Sequence, residues 1–250
     1  MIDRYINNKI NAIWNDQNRF DTWKLIQEKY VETLEELKIA EAGIAKKIRK
    51  AEISKEEVYK QEKVTNHDLA SFVDILQKKV GEGSNWVHYG LTSSDIVDSA
   101  NSLLIIQSIE IAQELILNLL KELKLKAIKN KDTKIIGRTH GVYAEETFLG
   151  NIFGNWYLEI KRSLDRVERA KVSIAYGKLS GPVGNHTVVT EEMEEITLEK
   201  LGLKPEIFAS QIVSRDRYAE VFTSLSILAS TYERISTNLR SYQRSEISEM

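Results

Sequence analysis

The 250-residue chain contains no cysteine. That rules out disulfides and thiolate zinc sites, and it suits a reducing compartment. Only two prolines are present, so little interrupts a helix. Neither charge is in excess: 35 basic side chains face 37 acidic ones, for a net charge of −2. Bulk electrostatics therefore offers nucleic acid no hold, and an anionic partner must be read by a local site. The opening Met1-Ile2-Asp3-Arg4-Tyr5 lacks the charged-then-apolar order of a secretory signal. No continuous apolar run approaches the roughly 20 residues of a membrane span; the most apolar stretch, Leu115 to Leu120, is far shorter. These absences predict a soluble, cytoplasmic protein with no membrane and no nucleic-acid partner. Metal-ligand spacings are missing too. There is no H-x-x-x-H and no H-E-x-x-H, so no metal site is expected. The glycine-rich 177–184 segment lacks a phosphate-loop lysine, and no serine sits in a nucleophile elbow.

What is present is helical periodicity punctuated by glycine clusters at Gly81, Gly83 and Gly90, at Gly137, Gly141, Gly150 and Gly154, and at Gly177, Gly181 and Gly184. From Asp21 to about Lys50, Trp23, Ile26, Tyr30, Leu34 and Leu37 recur at intervals of three and four. Thr65 with Asp68 fits a capping box opening a helix through Phe72, Ile75, Leu76 and Val80. Ser94 to about Lys129 holds no glycine or proline and predicts a helix of roughly 50 Å. Its apolar residues are too many for one face, which places it in a large bundle or an oligomer. Glu145 to about Tyr176 and Arg215 to the end read as further long helices. Only Lys134–Arg138 and Lys178–Ser180 suit short extended pieces. The expected fold class is all-α, with an N-terminal helical domain over 1–93 and a central long-helix domain over 94–250.

The most informative junction is Trp86-Val87-His88-Tyr89-Gly90-Leu91-Thr92-Ser93-Ser94-Asp95, at the start of the longest helix. Free N–H groups and the positive end of a helix dipole favour an anionic ligand there. Thr92 with Asp95 also fits a capping box, so a well-capped helix alone explains part of the pattern. A cap needs neither His88 nor Gly90. His67, in Thr65-Asn66-His67-Asp68, and His140, in Gly137-Arg138-Thr139-His140-Gly141, sit before other helices. His186 completes the four. Histidines at separate helix starts can converge at one end of a bundle.

Together these residues carry a resemblance. Trp86 to Asp98 (W-V-H-Y-G-L-T-S-S-D-I-V-D) and Gly137 to Gly141 (G-R-T-H-G) resemble the first two conserved blocks of the adenylosuccinate lyase family. Arg4-Tyr5, Ile13-Trp14-Asn15-Asp16 and Gln211 to Arg217 (Q-I-V-S-R-D-R) are similar in order and spacing. The resemblance covers essentially the whole chain. It implies a long-helix bundle of the fumarase/aspartase superfamily type and a cofactor-free C–N lyase. The reaction would be β-elimination of fumarate from adenylosuccinate, giving AMP, and from the succinocarboxamide ribotide of purine synthesis. It also implies a homotetramer whose active sites are shared between subunits. By that resemblance His140 is the general acid, a role imidazole suits. Thr92 and Ser93 bind succinyl carboxylate oxygens. His67, with Asn66 and Asp68, orients the nucleotide phosphate or supports His140. His88 lines the site, Arg4 and Tyr5 hold the nucleotide, and Gln211 contacts the substrate.

The chain departs from the family pattern in places. Asn66 stands where many relatives have arginine, and Tyr143-Ala144-Glu145-Glu146 replaces H-A-E-P. Arg215-Asp216-Arg217-Tyr218 replaces R-D-R-H. The family's third block, S-S-x-M-P-x-K-x-N-P, which supplies a base serine and a lysine, does not occur in these residues. The expectation is a chain lacking its C-terminal part, with little or no activity by itself. Two other readings stay open: a different fumarate-releasing lyase, such as an argininosuccinate lyase, and a non-catalytic helical assembly protein.

Overall fold

The computed structural model describes residues 3–250. After a short 3-10 turn (Asp3–Tyr5), the chain forms α1 (Asn8–Ile13), α2 (Asp16–Glu36), α3 (Ile44–Lys50), α4 (Lys55–Thr65) and α5 (Asp68–Val80). Then come α6 (Ser93–Lys129), the strands β1 (Lys134–Thr139) and β2 (Val142–Phe148), and α7 (Leu149–Ile174). β3 (Tyr176–Gly177), α8 (Glu191–Lys200), β4 (Lys204–Pro205) and α9 (Asp216–Tyr242) complete the order. The class is all-α, as expected; β1 and β2 make one antiparallel hairpin, and β3 and β4 one two-residue parallel pair.

Local chemistry explains most helix starts. Asn15 caps α2 by accepting from Asn18 N–H, and Ser54 with Glu57 forms a complete capping box on α4. At α5 the expected Thr65–Asp68 box is replaced. Thr65 is the last residue of α4, Asn66 turns left-handed at φ 53°, and the His67 side chain is the cap, accepting from Ala70 N–H. The Asp21–Lys50 periodicity resolves into two helices, because the chain turns between Leu37 and Gly43 and only resumes helix at Ile44.

Two expected helix bounds are corrected. Glu145 to Phe148 is strand, and the helix begins at Leu149 with Gly150 and Gly154 inside it. β-branched Ile135, Ile136, Thr139, Val142 and Thr147 favour the pleated hairpin, and His140-Gly141 closes it with positive φ at both residues (56° and 80°). That is the combination a two-residue type I′ turn requires. His140 therefore sits on a hairpin tip rather than at a helix start. The final helix stops at Tyr242, and the chain then turns, with Glu249 N–H donating to the Tyr242 carbonyl (3.1 Å).

The chain groups into two compact units, residues 1–108 with 174–215, and residues 109–173 with 216–250. This grouping by contact crosses the expected domain line after Ser93, so the 1–93 and 94–250 domains stay a proposed division of the family fold. In the first unit one core joins α2, α3, α5, the start of α6 and α8. Phe20, Trp23 and Phe72 form its aromatic centre, with centroids 5.3 to 6.2 Å apart. In the second unit Phe153 and Trp156 pack edge to face at 5.4 Å among buried Ile160, Leu164 and Val167. There, Leu115, Leu117, Leu125 and Ile128 of α6 stand exposed. α6 is long and apolar enough, by length and composition, to cross a membrane. The exclusion read from continuous runs does not hold for it, since its apolar residues are interspersed rather than contiguous.

Candidate active site

At the start of α6 the capping box is built from its acidic half. Thr92 N–H donates to Asp95 Oδ2 (2.8 Å), and Asp95 N–H goes to the Thr92 carbonyl (3.1 Å). Ser93 Oγ lies 3.3 Å from His67 Nε2, so the α5 cap and the α6 start meet in one place. Because Ala70 N–H donates to His67 Nδ1 (3.3 Å), the proton of a neutral His67 lies on Nε2 and points at the serine oxygen. Asp68 Oδ1 stands 3.5 Å from His67 Nδ1 and accepts from Leu69 N–H.

His88 lies close by, half-buried, with a left-handed backbone (φ 65°). Buried Gln27 of α2 holds it: His88 N–H donates to Gln27 Oε1 (3.0 Å), and Gln27 Nε2 is 2.8 Å from His88 Nδ1. Burial pushes the imidazole down to about 4, helped by the neighbouring His67. The adjacent Gly90 (φ 70°) has no room for a side chain, since a Cβ would approach Val188 Cγ1 to 2.5 Å.

Behind this junction is an ionic network that the sequence did not disclose. Lys178 and Asp95 are both fully buried and paired; Lys178 Nζ also donates to the Gly181 carbonyl (2.9 Å). Ser99 Oγ and the backbone of Lys178 exchange bonds of 3.2 Å. Burial raises the Asp95 carboxyl, and the Lys178 ammonium pulls it partly back. Buried Glu194 of α8 accepts from Leu179 N–H (2.5 Å) and faces His186 Nε2 at 3.6 Å; burial raises its carboxyl as well. His186 Nδ1 is satisfied by the Val189 carbonyl at 3.1 Å. Asp98, one turn beyond Asp95, takes Arg215 in a bidentate pair (3.0 and 3.1 Å) and accepts from Val213 N–H. The 211–217 segment and the 177–186 segment are thereby both tied to the first turns of α6.

The structure thus brings together His67, Asp68, His88 and Ser93, with Thr92 adjacent. Asn66 is exposed beside them, its N–H spent on the Glu62 carbonyl. Arg4 and Tyr5 are exposed in the N-terminal turn, with the guanidinium 5.2 Å from the tyrosine ring centroid. Gln211 is exposed ahead of Val213. His140 belongs to the second unit, exposed at the hairpin tip. In that unit Arg138 pairs with Glu249 (2.7 and 3.1 Å) and lies over Tyr143. A cleft of about 900 Å³ runs between the hairpin and the end of α9, lined by Arg138, Gly141, Tyr143, Tyr242 and Arg244. Lys178 and Gln27 are the functional candidates missed by sequence. Gln27 left a trace, a polar residue in the Trp23–Tyr30–Leu34 stripe; Lys178 left none. Among the described residues no cluster of three or more potential metal ligands occurs.

A helical core with a hydroxyl-rich helix start and a T-H-G hairpin defines a class of protein, and the sequence family agrees. The profile of the family described as Lyase matches residues 7–250, and the chain belongs to that family. Within it, the chain is similar along its whole length to the adenylosuccinate lyases of Thermotoga maritima (40% identical), Aquifex aeolicus (38%) and Bacillus subtilis (37%). It spans 58% of the length of each of those relatives. Solved structures share the fold. A fumarate lyase from Mesorhizobium superposes with a TM-score of 0.88 at 19% identity, covering 96% of this chain and 58% of that one. The β-carboxy-cis,cis-muconate cycloisomerase of Acinetobacter calcoaceticus gives 0.90 at 20%, covering 97% and 59%.

Proposed function

We propose that these 250 residues are part of an adenylosuccinate lyase, a C–N lyase that eliminates fumarate from adenylosuccinate to leave AMP. The same site would act on the succinocarboxamide ribotide of purine synthesis. The observation that carries the reading is the His67–Ser93 contact at the start of α6, in a chain 40% identical throughout to the Thermotoga maritima enzyme. Thr92 and Ser93 offer hydroxyls at a helix N-terminus, where a succinyl carboxylate is favoured. His67, with Asn66 and Asp68, orients the nucleotide end, and His88 lines the site. Arg4, Tyr5 and Gln211 complete the substrate contacts. A base removes the proton on carbon next to a carboxylate, and the pair of electrons is delocalised onto that carboxylate. The C–N bond then breaks as His140 protonates the departing nitrogen. Fixed donors aimed at the developing charge supply much of the acceleration. The base is assigned to none of these residues.

The uncovered apolar side of α6, with Leu115 at 53% and Ile128 at 59% exposure, supports assembly into a homotetramer with shared sites. A cytoplasmic location accords with the absence of cysteine from these 250 residues, which suits a reducing compartment. No cofactor enters the proposed chemistry.

The test is fumarate release from adenylosuccinate by the full-length gene product. Turnover is expected there. Turnover of argininosuccinate instead would move the chain to a sibling lyase. Inactivity on both would favour a non-catalytic assembly role.

A further inference from the structure

His88 is gripped twice by a single side chain, and the grip dictates where its proton sits. The backbone N–H of His88 is always a donor, so the Gln27 atom it meets at 3.0 Å must be the amide oxygen. The other end of that amide, the NH2 group, then faces His88 Nδ1 at 2.8 Å. An NH2 group cannot accept, so Nδ1 must. A ring nitrogen that accepts carries no proton, and the single proton of the neutral ring is left on Nε2.

From this we infer that Gln27 is a positioning residue that holds His88 as the neutral Nε2–H tautomer. The helix start at Thr92–Ser93 is then served by an uncharged imidazole donor rather than by an imidazolium. His67 is set the same way by its own cap, through Ala70 N–H on Nδ1. Carboxylate or phosphate oxygens arriving at α6 would meet directional Nε2–H donors, and that of His88 stays uncharged near neutral pH.

Three further observations agree. Gln27 is fully buried, so water does not compete for its amide. The His88 backbone is held at φ 65°, a conformation disfavoured for a non-glycine residue, and one that lets N–H and ring meet the same amide. Burial itself disfavours the imidazolium, and His67, the titratable group acting on His88, pushes in the same direction. That a ligand uses the Nε2–H rests on the lyase reading; the tautomer does not.

Long-range 1H–15N spectra of the 15N-histidine-labelled protein between pH 4.5 and 8 read the tautomer directly. With four histidines in the chain, His88 is assigned both by its own loss in His88→Asn and by elimination in His67→Asn, His140→Asn and His186→Asn. The expected result is an unprotonated Nδ1 and a protonated Nε2, constant down to about pH 5. In Gln27→Glu the carboxylate can still accept from His88 N–H but offers Nδ1 no donor. Nδ1 should then become protonated, and the ring should titrate near or above its ordinary 6.5. A protonated Nδ1 in the unsubstituted protein, or a ring titrating near 6.5 there, overturns the inference without any variant. An unchanged tautomer in folded Gln27→Glu also overturns it. Loss of the lyase reading would leave all these spectra as stated.

Discussion

Lys178 and Asp95 stand 83 residues apart in sequence, yet their side chains form an ion pair with no exposure to solvent. The pair fastens the segment after α7 to the first turn of α6. Removing the lysine leaves a carboxylate buried without its counter-charge, which costs more than the pair itself contributes. Lys178→Met, which keeps the stem's bulk, should destabilise the protein by about 3–5 kcal/mol in urea unfolding. Adding Asp95→Asn should recover a good part of that, since an asparagine oxygen can still accept from Thr92 N–H. Burial already raises the Asp95 carboxyl, so its folded state binds a proton more readily than the unfolded chain. Stability linked to such a group is greatest at low pH and falls as pH rises through the folded value. The deficit of Lys178→Met should therefore be smaller at pH 4 than at pH 7. An equal deficit at both would show that the buried charge is not its cause.

His88 carries a linkage of the opposite sense. Its folded value is lowered to about 4 from 6.5, so from pH 6.5 downward the unfolded chain takes up a proton that the native protein refuses. The stabilisation is complete above pH 6.5 and is lost as pH falls towards 4, by on the order of 2–3 kcal/mol. His88→Asn removes the titrating group while keeping a residue that tolerates the left-handed backbone. The stability gap between the two proteins should narrow between pH 7 and pH 4.5. A gap that stays constant would exclude His88 as its source.

Gly184 and Gly43 make a matched pair, both with positive φ (74° and 100°). An alanine at 43 meets nothing within 4 Å, so it should cost only the backbone preference, about 1 kcal/mol. An alanine at 184 would run its Cβ into the Ala209 backbone carbonyl, and backbone cannot step aside as a side chain can. Gly184→Ala should cost about 2–4 kcal/mol. Chemical denaturation of the two variants checks the ranking; similar costs would mean that the 184–209 contact yields easily.

What could be read from sequence was what depends on near neighbours. The stripe of Phe72, Ile75, Leu76 and Val80 announced α5 because a helix repeats its environment every three or four residues. The hydroxyls after Gly90 announced the α6 start because capping is local. The first strand of the hairpin was legible as the extended piece Lys134–Arg138, but the second escaped because Val142 to Phe148 has no turn residue to part it from the helix that follows. In sequence His67 sits inside a Thr65–Asp68 capping box, whereas in the structure its own ring is the cap. Lys178 could not be read at all. A lysine between glycine and leucine looks like any surface lysine until Asp95, 83 residues earlier in the chain, is folded against it. The Gln27 clamp likewise spans 61 residues. Site residues were legible where a motif groups them; the groups that fix their protons and backbones come from elsewhere in the chain.

His140 allows chemistry to be separated from fold, because of the turn it occupies. With φ 56° followed by Gly141 at 80°, it holds the first central position of a type I′ turn, which Asn-Gly favours most. His140→Asn should therefore leave the hairpin intact, or slightly firmer, whereas His140→Ala would strain it. If His140 is the acid that protonates the departing nitrogen, the asparagine variant of the full-length enzyme keeps its fold and loses its proton donor. Its kcat for fumarate release should fall by about 10²–10⁴ with KM little changed. Its thermal transition should stay at or above that of the unsubstituted enzyme. A folded His140→Asn enzyme with undiminished kcat would remove the acid from this residue. An equal loss in binding and turnover would instead make His140 a substrate contact.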